Sequence, residues 1–202
     1  MNSEEPFRAA IAILEAEIEG GWDADDSMPD DYVLGSPLGR AAKLLHDADP
    51  VALKWLCFFV ARRALACWEQ TCTGTRPRDV IGLIARRLLD PDVDLDEACK
   101  LIRSPHKDCL YSETQTAADS VFHAARYLRN GGLFDAIYSI SGADIAYDHA
   151  MTKDGFRPWL TKIAIPVARV HREMILEERL AYRTSSFGIE ATRGEPIVQE
   201  TA

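Results

Sequence analysis

The chain has no apolar run near the ~20 residues that cross a bilayer. Its longest candidate, Val51 to Ala61, is interrupted by Lys54. No membrane span is expected. The start, Met1-Asn2-Ser3-Glu4-Glu5-Pro6, carries acid where a secretory signal carries base, so no leader is expected either. Cys-x-x-Cys pairs are missing. The five cysteines, Cys57, Cys67, Cys72, Cys99 and Cys109, are an odd number and read as reduced, mostly buried thiols of a reducing compartment, by default the cytoplasm. Val/Ile/Thr alternation between turn dipeptides is missing as well, which argues against a sheet.

The usual patterns of site chemistry are also absent. A di-iron bundle needs Glu-x-x-His on two helices. Three residues before His46, His106, His123, His149 and His171 stand Lys43, Arg103, Ser120, Ala146 and Ala168, none of them acidic. His171-Arg172-Glu173 does not make a His-Glu-x-x-His zinc helix, and there is neither a Gly-x-Ser-x-Gly elbow nor a glycine-rich phosphate loop. Asp23, Asp25 and Ser27 start like a calcium loop, but Met28 takes the glycine position and Leu34 the bidentate glutamate position. His46-Asp47 resembles the pair of metal phosphohydrolases but has no earlier histidine to complete it, and near a helix end it reads as structural. No cofactor and no metal are expected.

What the chain does have is an acidic front. Residues 1–39 hold ten of the 32 acids and one of the 23 bases, Arg8, so they carry the whole net charge of −9. The remaining 22 acids and 22 bases cancel. Such a front disfavours nucleic acid or an anionic membrane as partner and suits a basic protein.

Helical spacing runs through the rest. A first helix is expected over Pro6–Glu19, with Phe7, Ile11, Leu14 and Ile18 on one stripe, then an acidic loop over 20–36. Ser36-Pro37 and Asp49-Pro50 each read as a cap followed by a first-turn proline, opening a helix to His46 and a long one to Thr71. The middle of the long helix is apolar nearly all round, the mark of a central helix. Further helices are expected over Pro77–Leu89, from an Asp94/Glu97 capping box to Ile102, over Ser112–Arg129, over Leu133–Met151 with Gly142 as a weak point, and over Pro158–Tyr182 with a kink or break at Pro166. Residues 183–202 read as a polar, poorly ordered tail. The expected fold is an all-α antiparallel bundle of seven to eight helices forming one domain over 1–182. An echo between Val60–Leu65 and His123–Leu128 hints at stacked helical hairpins.

From Trp55 to Ala150 the chain resembles a family of bacterial immunity proteins, partners of polymorphic toxins. Trp68-Glu69, the loop Gly74-Thr75-Arg76-Pro77-Arg78-Asp79 and the amphipathic helix from Val80 to Leu89 carry the resemblance, followed by the alanine-rich segments around His123 and His149. It implies an all-α, non-catalytic protein that neutralises a toxin by binding it. An acidic face against a basic toxin would add on-rate and selectivity. The expected contact residues are Trp22, Asp23, Asp25, Asp26, Asp30, Asp31 and Tyr32, where acids are flanked by aromatic anchors, together with Arg76, Arg78 and Asp79. Arg76-Pro77-Arg78-Asp79 reads equally as a helix start, with an arginine pairing to Glu69. Two other classes stay open: an enzyme with a site around His123 and His149, and a helical scaffold or regulatory protein. Oligomeric state is not legible.

Overall fold

A computed structural model of the chain describes residues 4–16, 28–72, 74–102, 112–150 and 155–172. In chain order the elements are α1 (Glu5–Ala16), α2 (Asp30–Gly35), α3 (Pro37–Ala48), α4 (Pro50–Thr71), α5 (Arg76–Leu89), α6 (Asp96–Ile102), α7 (Ser112–Asn130), α8 (Leu133–Ala150), α9 (Phe156–Trp159), a π-helical turn (Leu160–Ala164) and α10 (Ile165–Arg172). The fold is all-α, with no strand among the described residues. Nor is any helix there long and apolar enough to cross a membrane. The expected tail, and the stretch of the domain past Arg172, lie outside the described residues.

The two cap–proline signals act as the sequence predicts. Ser36 Oγ accepts from Gly39 N at 3.0 Å and donates to Val33 O at 2.7 Å, while Asp49 Oδ1 accepts from Ala52 N at 3.0 Å. Each satisfies an otherwise orphaned first-turn amide. From Asp49 the central helix α4 runs through the core, burying Leu53, Trp55, Leu56, Cys57, Phe58, Val60, Ala61, Ala64 and Leu65 in different directions. Helices α3, α5, α7, α8 and α10 pack around it. Gly131, at φ +70°, closes α7, its N–H donating to Tyr127 O at 2.8 Å.

Helices α7 and α8 form the tightest pair. The pair buries Ala117, Ser120, Val121 and Ala124 of α7 and Ala136, Ser139, Ala143 and Ala146 of α8, all essentially sealed from solvent. A Cβ on Gly142 would stand 3.0 Å from Thr116 O and 3.2 Å from Ser120 N. The expected weak point is therefore a contact point: the helices approach so closely that a side chain there must push backbone aside.

Several expectations need correction. The acidic loop is not wholly loop, because Asp30–Gly35 forms α2, held down by buried Val33. Six residues with one fully buried side chain, Val33, and a half-buried neighbour, Leu34, leave no period to read. Gly39 records the docking, since a Cβ there would lie 2.0 Å from Val33 O. The capping box at α6 is not formed as predicted: Asp94 Oδ1 does accept, from Asp96 N at 2.8 Å, but Glu97 turns outward to Lys100 at 2.7 Å. The last helix does divide beside Pro166, as expected: the π-helical turn Leu160–Ala164 separates α9 from α10, which opens at Ile165, and it takes up the missing N–H and the clash of the proline ring with the preceding turn. Finally, Cys72 is disulfide-bonded, while Cys57, Cys67 and Cys99 are free and buried. Cys72 is half-buried just past the end of α4, at the edge of the core rather than within it, so the expectation of five reduced thiols fails there.

Candidate functional site

The expected contact residues divide into two groups. Trp22, Asp23, Asp25 and Asp26 lie outside the described residues. Asp30, Asp31 and Tyr32 occupy the first turn of α2, all exposed, with Tyr32 62% accessible. The two carboxylates also complement the positive end of the helix dipole, a structural use that leaves them facing solvent. Helix α2 packs on α3, which in turn packs on α1 and α4. On α1, Glu5 and Glu15 are exposed in the described surface, whereas Glu4 is engaged by Arg8 at 2.6 Å and Arg169 at 2.7 Å. Those guanidinium groups, Arg169 first, hold the Glu4 carboxyl below its usual range.

Arg76, Arg78 and Asp79 start α5, with Pro77 buried in the first turn. Arg78 Nε donates to Glu69 Oε1 at 2.8 Å, and Thr75 Oγ1 donates to Asp79 Oδ2 at 3.1 Å. The helix-start reading therefore accounts for Arg78 and Asp79. Because α5 packs on α4, α6 and α7, this segment and the acidic turn of α2 belong to different layers.

The densest polar cluster is one the sequence locates only in part. His123 on α7 meets Asp135 in the first turn of α8, Nδ1 to Oδ1 at 2.9 Å, and Arg126 Nε approaches the same oxygen at 3.3 Å. The His123 and Asp135 side chains are 11% and 9% exposed. The imidazole is edged by the Phe122 and Tyr138 rings at 5.1 and 5.2 Å. A carboxylate only accepts, so Nδ1 is the nitrogen that presents a proton to Asp135. That orientation serves a general base as well as a packing histidine. For Cys57, on α4, burial first and then the Asp135 charge push the thiol far up, which disfavours the thiolate. The Cys67 thiol is likewise pushed up, by burial, to about 11. The side chain of His149, the expected companion of His123, lies outside the described residues.

Two further buried polar contacts pair groups from different helices. His46 Nδ1 hydrogen-bonds the Tyr127 hydroxyl at 2.9 Å, which supports its structural reading, and burial raises the Tyr127 phenol. Asp144, 2% exposed, takes two bonds from Arg157, at 3.0 and 2.8 Å to Oδ2. Asp135, Arg126, Asp144 and Arg157 carried no signal in the sequence. Each is an ordinary charge on a helix until its partner helix is placed. The described residues contain no group of three or more His, Cys, Asp or Glu able to hold a metal ion. No family model, no curated protein and no solved structure matches the chain.

Proposed function

We propose that the chain is a non-catalytic protein-binding module that neutralises a basic toxin domain, in the manner of an immunity protein. One observation carries this reading: the acidic front continues into an exposed helical turn, Asp30-Asp31-Tyr32, in which two carboxylates precede a largely exposed aromatic ring. Carboxylates there attract a cationic surface at long range, and a tyrosine of that exposure is the side chain type that anchors interfaces. The engagement of Arg78 and Asp79 within their own helix start narrows the proposed contact surface to α2 and the segment before it.

The test uses capture from the native host at low and high ionic strength, with wild-type chain and an Asp30→Asn/Asp31→Asn/Tyr32→Ala variant. A basic protein retained by wild type, released by salt and lost by the variant is the expected result. That protein should kill a sensitive host when expressed alone and be harmless when co-expressed with this chain. Equal retention by the variant overturns the acidic-face reading.

A second reading, acid–base chemistry around His123 and His149, has the His123–Asp135 bond in its favour. Its discriminating result is a turnover abolished by His123→Gln in a protein that still melts cooperatively.

A further inference from the structure

Arg63 of α4 differs from the arginines that pair with acids across helices. Arg157, Arg126, Arg129 and Arg169 each meet a carboxylate, at 2.8, 3.3, 2.6 and 2.7 Å respectively. Arg63, though half-buried, meets none among the described residues, and its Nε is sealed from solvent without a hydrogen-bond partner. Its guanidinium carbon instead lies 4.5 Å from the Trp159 ring centre and 5.1 Å from that of Tyr147. Asp144, one turn before Tyr147, does not serve it, being held bidentately by Arg157.

A half-buried cation with no counter-charge among the described residues is costly, and the rings offset only part of that cost. They do fix the plane of the guanidinium. With Nε sealed, an anion can reach the group only at its two terminal nitrogens. Two further donors lie on the neighbouring segment. The Trp159 indole N–H has no acceptor among the described residues, and Lys162, on the π-helical turn that packs against α4, is exposed and without a described carboxylate. We propose that Arg63, Trp159 and Lys162, backed by Tyr147, form an anion site for a phosphate group. A planar fork, an indole N–H and a point charge match the several acceptor oxygens and the charge of a phosphate dianion. The site is independent of the acidic face, since it lies on α4 and the α9 segment.

The experiment is calorimetric titration of the full chain with inorganic phosphate against sodium chloride at matched ionic strength, paired with thermal melts. Wild type binds saturably and its melting temperature rises. Arg63→Lys, which keeps charge but loses the fork, weakens binding by about tenfold. Trp159→Phe, which keeps a ring but loses the N–H, weakens it by about threefold. Lys162→Gln, at an exposed position that leaves folding intact, weakens it too. Phosphoserine and adenosine 5′-monophosphate separate the sources: esters binding at least as well as the free ion identify a ligand-borne phosphate, and their exclusion identifies free phosphate. No saturable binding by wild type, or unchanged binding in both Arg63→Lys and Lys162→Gln, overturns the site. Should Arg63→Lys fail to fold, Lys162→Gln and Trp159→Phe decide alone.

Discussion

Ser120 and Ser139 exchange hydrogen bonds across the α7–α8 crossing: each hydroxyl donates to the other residue's carbonyl oxygen, at 2.7 and 3.0 Å. Both side chains are fully buried, and the exchange is possible only because small residues line the crossing. Gly142 is the tightest of them.

Gly142→Ala is expected to destabilise the protein by about 1 kcal/mol, although alanine is the better helix former by about that amount. The new Cβ meets backbone at 3.0 and 3.2 Å, which cannot swing away as a flexible side chain would. Gly142→Val should cost about 3 kcal/mol. Urea unfolding reads both, and a stabilised Gly142→Ala would show that the crossing gives way easily.

Gly39 supplies a sharper case. At 2.0 Å from Val33 O, an added Cβ displaces α2 from α3 and breaks the Ser36 cap with it. Gly39→Ala should cost about 2 kcal/mol or more and make α2 accessible to limited proteolysis. Because α2 carries Asp30, Asp31 and Tyr32, partner capture should fall in the same variant while the core still melts cooperatively.

Asp135→Ala leaves His123 and Arg126 facing a vacated, nearly sealed position. Removing the buried carboxylate that both side chains share costs about 3 kcal/mol, more than His123→Phe, which removes one arm and keeps the ring packing. Chemical denaturation of both variants checks the order. The reverse order would mean that Arg126 swings to solvent and relieves the loss.

His171 should make stability pH-dependent. Burial lowers its pKa from 6.5, against the smaller opposing effect of its bond to Val167 O. The ring packs 5.0 Å from Trp55 and 5.1 Å from Phe59. A histidine held neutral by the fold contributes stability that is complete above its unfolded pKa. That stability is lost as the pH falls through 6.5 toward the lower folded value. Between about pH 7.5 and about pH 5.5 the melting temperature of wild type should drop more than that of His171→Phe. Equal slopes would remove His171 from the account.

The helices themselves were legible because their signals are local. Ser36-Pro37 and Asp49-Pro50 fix two starts within a turn, Gly131 fixes a stop, and the all-round apolar middle of α4 identifies the helix others must surround. Periodicity works where a helix buries a stripe over several turns. It fails for α2, whose anchors are the adjacent Val33 and Leu34, and for Glu97, whose choice of Lys100 over the helix start is decided by two exposed side chains of similar reach.

The candidate sites were not legible in the same way, because no residue states its partner. The sequence by itself determined the all-α class, the central helix and the placement of the whole net charge in the first 39 residues, all properties of neighbours along the chain. Only the tertiary structure decided which charges are neutralised. It joins His123 to Asp135 and Asp144 to Arg157 across helix pairs, and it leaves Arg63 between Trp159 and Tyr147 without a described counter-ion. Those pairings depend on how α4, α7, α8 and α9 pack, and that follows from a core shared by many helices at once.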